Sequence, residues 1–314
     1  MTRSLRNRLL VAVDGTEQAL AMVRYVGRVF PPEGAEIVLF NVFNRIPDAF
    51  WDIEKDMKTS PAFRSAAAWE SMQQNAMTGF MDQAKRALLN SGFPAEAVQV
   101  RVQPMDKGVA RDIVAEAALG YDAVVLGRKG YSRLMDLIMG SVANKLVNKL
   151  KDVSVLMVGG EPANNRFLVA VDGSKGSERA VKAVTSVLHG KNVEVKLFHA
   201  VRTLDPSGRA GAARELREDK DSWLEDHLRS IRPMMEAHHD ALVGHGLDPK
   251  SASIRLVTDA ASRAGAIIEE ARGAGFGTIV IGRRGFSEVQ EHPMGRVTNK
   301  VLQLARDLAV WVVA

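Results

Sequence analysis

The chain has 314 residues, 46% of them hydrophobic and 25% charged, a length that suits about two domains of ordinary globular composition. Its net charge of +5 is spread evenly, 20 basic against 17 acidic residues before Gly160 and 22 against 20 from there on; with 6% aromatic residues and no basic run longer than two, a nucleic-acid partner is not expected. There is no cysteine, which excludes disulfides, thiolate catalysis and cysteine-based metal centres, and no apolar run approaches the ~18 residues of a membrane helix, so a soluble, cytoplasmic protein is expected.

Along the chain, the basic start Met1–Arg8 leads into the apolar run Leu9-Leu10-Val11-Ala12-Val13 and then Asp14-Gly15-Thr16, a buried strand ending in a turn. Asp14-Gly15-Thr16-Glu17 has capping-box spacing, so Asp14 caps the next helix, serves a ligand, or does both. A helical pattern follows, and then a second strand, Ile37-Val38-Leu39-Phe40-Asn41-Val42. Phe50 and Trp51 fall in a loop-like stretch and read as a local hydrophobic anchor or as a cover over a pocket. Apolar positions Met77, Phe80, Met81, Ala84 and Leu88 recur at helical spacing, and Met72, Met77 and Met81 are expected in the core, with an adaptable partner surface as the alternative. Ala123-Val124-Val125-Leu126-Gly127 is a further strand. It opens the pattern Gly127-x-x-Gly130, nine residues, Gly140-Ser141.

Glycines at those positions remove side chains where a backbone approaches a ligand or takes positive φ. A helix beginning at Gly140-Ser141 points free N–H groups and a positive dipole end at an anion, although Ser141 would also serve as a plain N-cap. The last strand of this half, Val153–Val158, carries no charge. It runs into the turn-rich linker Gly159-Gly160-Glu161-Pro162-Ala163-Asn164-Asn165-Arg166.

The second half repeats the first. Phe167–Ser174 matches Leu9–Thr16 and Val195–Ala200 matches Ile37–Val42 at an offset of 158; Thr278–Gly282 matches Ala123–Gly127 and Leu308–Val313 matches Val153–Val158 at 155. A period this long marks duplicated domains, taken as residues 1–160 and 161–314. Strands alternating with helices imply a parallel sheet with helices on both faces, hence two tandem doubly wound α/β domains of five strands and four helices each. An uncharged strand at a sheet edge invites pairing. The two last strands are therefore expected to pair with each other or with a second molecule in a homodimer.

A first strand ending in Val-Asp-Gly-Ser/Thr, with a fourth strand running into Gly-x-x-Gly, nine residues, Gly-Ser, resembles the universal stress protein family twice over. The resemblance implies the strand order 3-2-1-4-5, with a ligand crevice between strands one and four where chain order reverses. In the first half it implies ATP or a related adenine nucleotide, with or without Mg2+. Ala12 and Asp14 would lie by adenine and ribose, Val42 against the base, and Gly127, Lys129, Gly130, Gly140, Ser141, Val142 and Ala143 around the phosphates. In the second half Asp172, Gly282, Gly285 and Gly295 persist, but Ala200 replaces Val42 and Arg296 replaces the hydroxyl residue.

A cation in the first turn of a helix is unfavourable by roughly 0.3–1 kcal/mol, so Arg296 either turns to a carboxylate such as Glu288 or Glu291 in a degenerate site or faces a different anion. His238, His239, Asp240 and His245 read as a polar helix face; no metal site is expected from them. No Ser-His-Asp or Cys-His arrangement and no Gly-Lys-Ser/Thr loop is present. The expected function is a nucleotide-responsive stress sensor or interaction module. The alternatives are a slow ATPase with its metal on Asp14 and Ser141, or a ligand-free scaffold.

Overall fold

The computed structural model describes residues 7–43, 61–128, 139–187, 193–202, 215–285 and 294–314, with the backbone alone at 61–67, 69–70 and 215–221. The chain divides into two compact units, Met1–Val153 and Ser154–Ala314. The first unit runs β1 (Asn7–Ala12), α1 (Glu17–Val29), β2 (Ala35–Phe43), α2 (Pro61–Asn90), β3 (Val98–Pro104), α3 (Val109–Ala117), β4 (Ala123–Gly127) and α4 (Ser141–Lys149). The second begins with β5 (Ser154–Val158). It continues β6 (Arg166–Ala170), α5 (Lys175–Thr185), β7 (Glu194–Arg202), α6 (Glu215–Gly244), β8 (Ala252–Ala260), α7 (Arg263–Gly273), β9 (Thr278–Gly282), α8 (Arg296–Leu304) and β10 (Ala309–Val313).

In the first unit the strands lie in the order β3-β2-β1-β4, all parallel; in the second, in the order β5-β10-β9-β6-β7-β8. The doubly wound order 3-2-1-4-5 expected of each copy is the order found. Central strands are covered on both faces, which is why they read as unbroken apolar runs: Leu9, Leu10 and Val11 in β1, and Phe167, Leu168 and Val169 in β6, are at most 1% exposed.

The expected pairing of the last strands is present. β5 and β10 run antiparallel, with Val155 opposite Val312, Leu156 opposite Trp311, Met157 opposite Val310 and Val158 opposite Ala309. All eight side chains are buried, and Trp311 packs edge-on against Phe167 at 5.4 Å. Pairing satisfies backbone edges that would otherwise be open to other chains.

Helix entry differs from the capping reading of Asp14. The N-cap of α1 is Thr16, whose hydroxyl oxygen accepts from the Ala19 N–H at 3.2 Å. Asp14 sits one step back, its Oδ1 accepting from the Thr16 N–H at 3.2 Å and the Thr16 hydroxyl at 2.7 Å. The second copy repeats this with Asp172 and Ser174, at 3.0 and 2.6 Å. Between each pair the chain needs a left-handed residue: Gly15 has φ +82 and Gly173 φ +86, a region open to glycine at no steric cost.

Candidate functional site

In the first unit a cavity of about 860 Å³ opens at the carboxyl ends of β1 and β4. Ala12 and Asp14 reach it from the end of β1, Val42 from β2, Gly127 from the end of β4, and Gly140, Ser141, Val142 and Ala143 from the start of α4. All eight of these sequence-selected residues thus line one space. The other two, Lys129 and Gly130, lie outside the described residues, as do Phe50 and Trp51.

The two ends of the cavity differ chemically. Around β2 and the helices it is apolar, with Phe40, Val42, Met77 and Ile113 in its wall. At α4 the described residues offer no side-chain cap: the N-cap is Gly140, and the first turn of the helix holds no acidic residue. Gly140 takes the place considered for Ser141, which occupies the first helical position and is exposed. The Gly140 N–H donates to the Arg128 carbonyl at 3.0 Å, tying the helix start to the end of β4. The first N–H groups of α4, which have no partner within the helix, and its positive dipole end therefore face the cavity's rim. Asp14 lies between the two regions. Its Oδ1 is held by Thr16, and Oδ2 has no partner among the described residues.

Sequence reasoning missed two polar groups. Asn41 is 4% exposed; its amide donates to the Val13 carbonyl at 2.8 Å, while its Oδ1 is buried with no hydrogen-bond partner among the described residues. A polar residue inside the apolar run Ile37–Val42 was the available signal. Arg128, also 4% exposed, follows directly on Gly127 and brings a buried cation to the wall. Of the methionines, Met81 is in the core at 1% exposure, Met77 lines the cavity, and Met72 is 68% exposed, which corrects the expectation that all three are core residues.

The second copy uses matching positions differently. Gly282, Gly285 and Gly295 do not occupy the left-handed region. They permit close packing within the chain: a Cβ on Gly282 would stand 2.8 Å from the Gly176 Cα, and one on Gly285 would collide with Asp172 Oδ2. The backbone after β9 thus lies directly on Asp172 and the start of α5. Ala200 is buried at 6% exposure, and Arg296 is exposed in the first turn of α8. The carboxylates suggested for Arg296, Glu288 and Glu291, lie outside the described residues.

His199 stands where the first copy has Asn41 and keeps its anchor, with Nδ1 2.7 Å from the Val171 carbonyl. Its Nε2 lies 3.0 Å from Nε2 of His227, which stacks on Trp223 at 5.3 Å. Burial holds the His199 imidazole below its usual pKa. The histidines considered at the sequence level go elsewhere: His239 Nδ1 lies 3.4 Å from Asp240 Oδ1, and His245 Nδ1 2.7 Å from the Ala241 carbonyl. No described helix is long and apolar enough to cross a membrane.

Two copies of one parallel, doubly wound α/β arrangement, the first with a crevice at its topological switch point, define a tandem α/β protein. The model of the universal stress protein family matches residues 6–159 and again 163–313, and the chain belongs to that family. Nucleotide binding is known in some of its members. Among solved structures, a universal stress protein of Archaeoglobus fulgidus DSM 4304 is 17% identical with a TM-score of 0.60, covering 98% of this chain and 97% of its own. A functionally unknown protein of Pseudomonas aeruginosa PAO1 is 16% identical with a TM-score of 0.57, covering 99% and 93%. At these identities the likeness concerns the fold. No curated protein matches the chain significantly.

Proposed function

We propose that the first copy binds an adenine nucleotide, ATP or a close relative, and that the chain works as a nucleotide-responsive stress protein read by partners. The observation that carries this reading is the lining of a single cavity by Asp14, Val42, Gly127 and the uncapped start of α4. Its volume, about 860 Å³, lies within the ~300–1,000 Å³ of ordinary small-molecule sites. An apolar wall at Phe40, Val42 and Met77 suits a base. Asp14 Oδ2 is an acceptor for a ribose hydroxyl or an exocyclic amine, whereas it would repel a phosphate. The N–H groups of α4 and the Arg128 guanidinium suit the phosphates, since anions are stabilised at helix N-termini and by charge-assisted hydrogen bonds.

In the second copy the proposal is a degenerate site. Gly285 lies against Asp172, and His199 and His227 occupy the position that Asn41 and Gln73 hold at the first cavity. The last-strand pairing would then be what this copy contributes. Calorimetric titration of the full chain with ATP, with and without Mg2+, tests the proposal. One site per chain is expected; no heat in either titration refutes nucleotide binding, and two equal sites refute the assignment of the second copy.

A further inference from the structure

We infer that the second copy carries an acid-sensitive latch: the hydrogen bond between His199 on β7 and His227 on α6 ties the amino-terminal half of α6 to the sheet, and protonation of both imidazoles releases it. The latch does not rest on nucleotide binding by the first copy. The two Nε2 atoms stand 3.0 Å apart and the ring centroids 5.2 Å apart, so the imidazoles point at one another. The Val171 carbonyl, 2.7 Å from His199 Nδ1, only accepts; it fixes the proton of neutral His199 on Nδ1, and Nε2 accepts from the His227 Nε2–H. One added proton leaves a hydrogen bond in place, because protonated His199 donates from Nε2 while His227 accepts with its own proton moved to Nδ1. A second proton puts an N–H on both facing atoms and a like charge on both rings. No acceptor then lies between them, and the contact becomes repulsive.

The amino-terminal half of α6 has few other anchors. All of residues 222–230 are exposed except Leu224, His227 and Leu228, and none of these three is fully buried. Further along, Ile231, Met235 and Leu242 are buried and fix the carboxyl-terminal half. Between the halves stands Pro233, which has no N–H to give the Arg229 carbonyl; the helical ladder is interrupted there, and the first half can open without the second. Burial keeps His199 below its usual pKa, so its charge enters only in acid. Of the groups facing it, Asp172 beyond β6 favours that charge, whereas His227 and Arg263 at the start of α7 oppose it. On α6 itself Asp226 is paired with Arg229 at 3.0 Å. His238, about three turns beyond His227, is also held below its usual pKa by burial, with Glu178 on α5 favouring its charge. It belongs to the firmly packed half and serves as a control.

The first copy has Asn41 and Gln73 at the matching places, the thirteenth residue of each thirty-residue helix in the case of Gln73 and His227. His199→Asn and His227→Gln are therefore substitutions that the fold already accommodates elsewhere in the same chain, and neither can place two like charges face to face. The test is amide hydrogen exchange of the full chain between pH 7.5 and 5, read by mass spectrometry and corrected for the intrinsic effect of pH on exchange. In the wild type, protection of residues 222–230 is expected to fall at least tenfold on acidification while that of 235–242 holds. In His199→Asn and His227→Gln, protection of 222–230 should be independent of pH, with 235–242 again reporting an intact helix end; His238→Gln should keep the acid response. Unchanged wild-type protection at pH 5 overturns the latch. So does an acid response that both latch variants retain, or one that only His238→Gln abolishes.

Discussion

Replacing Ser141 by Asp separates a structural helix start from an anion site, because the two readings give opposite signs for stability and binding. α4 begins with Gly140 as an uncapped N-cap, has no acidic residue in its first turn, and presents Ser141 exposed at the first helical position. A carboxylate there complements the dipole and should stabilise the ligand-free protein by about 0.3–1 kcal/mol. For a unit of this size that raises Tm by about 1–4 °C. The same charge within about 4–6 Å of a bound phosphate costs about 1–4 kcal/mol at effective dielectric constants between 80 and 20. ATP affinity should fall between roughly fivefold and several hundredfold. Thermal melts without ligand and calorimetry with ATP read the two quantities on one preparation. Unchanged ATP affinity in Ser141→Asp would refute phosphate placement at this helix, and a lower ligand-free Tm would refute the account of its uncapped start.

Further consequences can be measured on the same protein. Arg296→Ser removes an exposed cation from the first turn of α8 and should stabilise by about 0.3–1 kcal/mol without adding a nucleotide site, seen as a raised Tm and unchanged ATP stoichiometry. Trp311→Ala empties a side chain that is 3% exposed between β5 and β9 and should cost about 3–5 kcal/mol, read as a lower urea midpoint at constant slope. His199 has a folded pKa below its usual 6.5, so the unfolded chain takes up its proton first. Its contribution to stability is complete above about pH 6.5 and is lost as pH falls through the lower folded value; the difference in stability between wild type and His199→Asn should diminish over that interval and stay constant above it.

The parts legible in the sequence are those where one local rule prevails. β1, β2, β4 and β5 and their repeats read as strands because burial on both faces leaves unbroken apolar runs, and the missing charge in Val153–Val158 and Leu308–Val313 anticipated their pairing. The third strands did not stand out: β3 and β8 lie at the outer ends of the strand order, and Val100, Val102 and Ile254 are exposed, so neither a clean alternation nor a solid apolar run marks them. The capping-box spacing leaves open whether Asp14 caps the helix or serves a ligand, because spacing cannot say which oxygen faces the helix; the left-handed turn at Gly15 gives the cap to Thr16. The resemblance to the universal stress protein family drew together the first cavity's lining, but not Asn41 or Arg128, whose roles depend on burial. His199 and His227 meet across 28 residues and two elements, a proximity with no periodic trace in the chain.

The central claim, one nucleotide crevice in the first copy and a degenerate site in the second, is tested most directly by denaturing the purified full-length protein and chromatographing what it releases, with ligand counted per chain. The account predicts one adenine nucleotide per chain, falling toward zero in Ser141→Asp and unchanged in Arg296→Ser. Two nucleotides per chain, or one that survives Ser141→Asp at full occupancy, would contradict it.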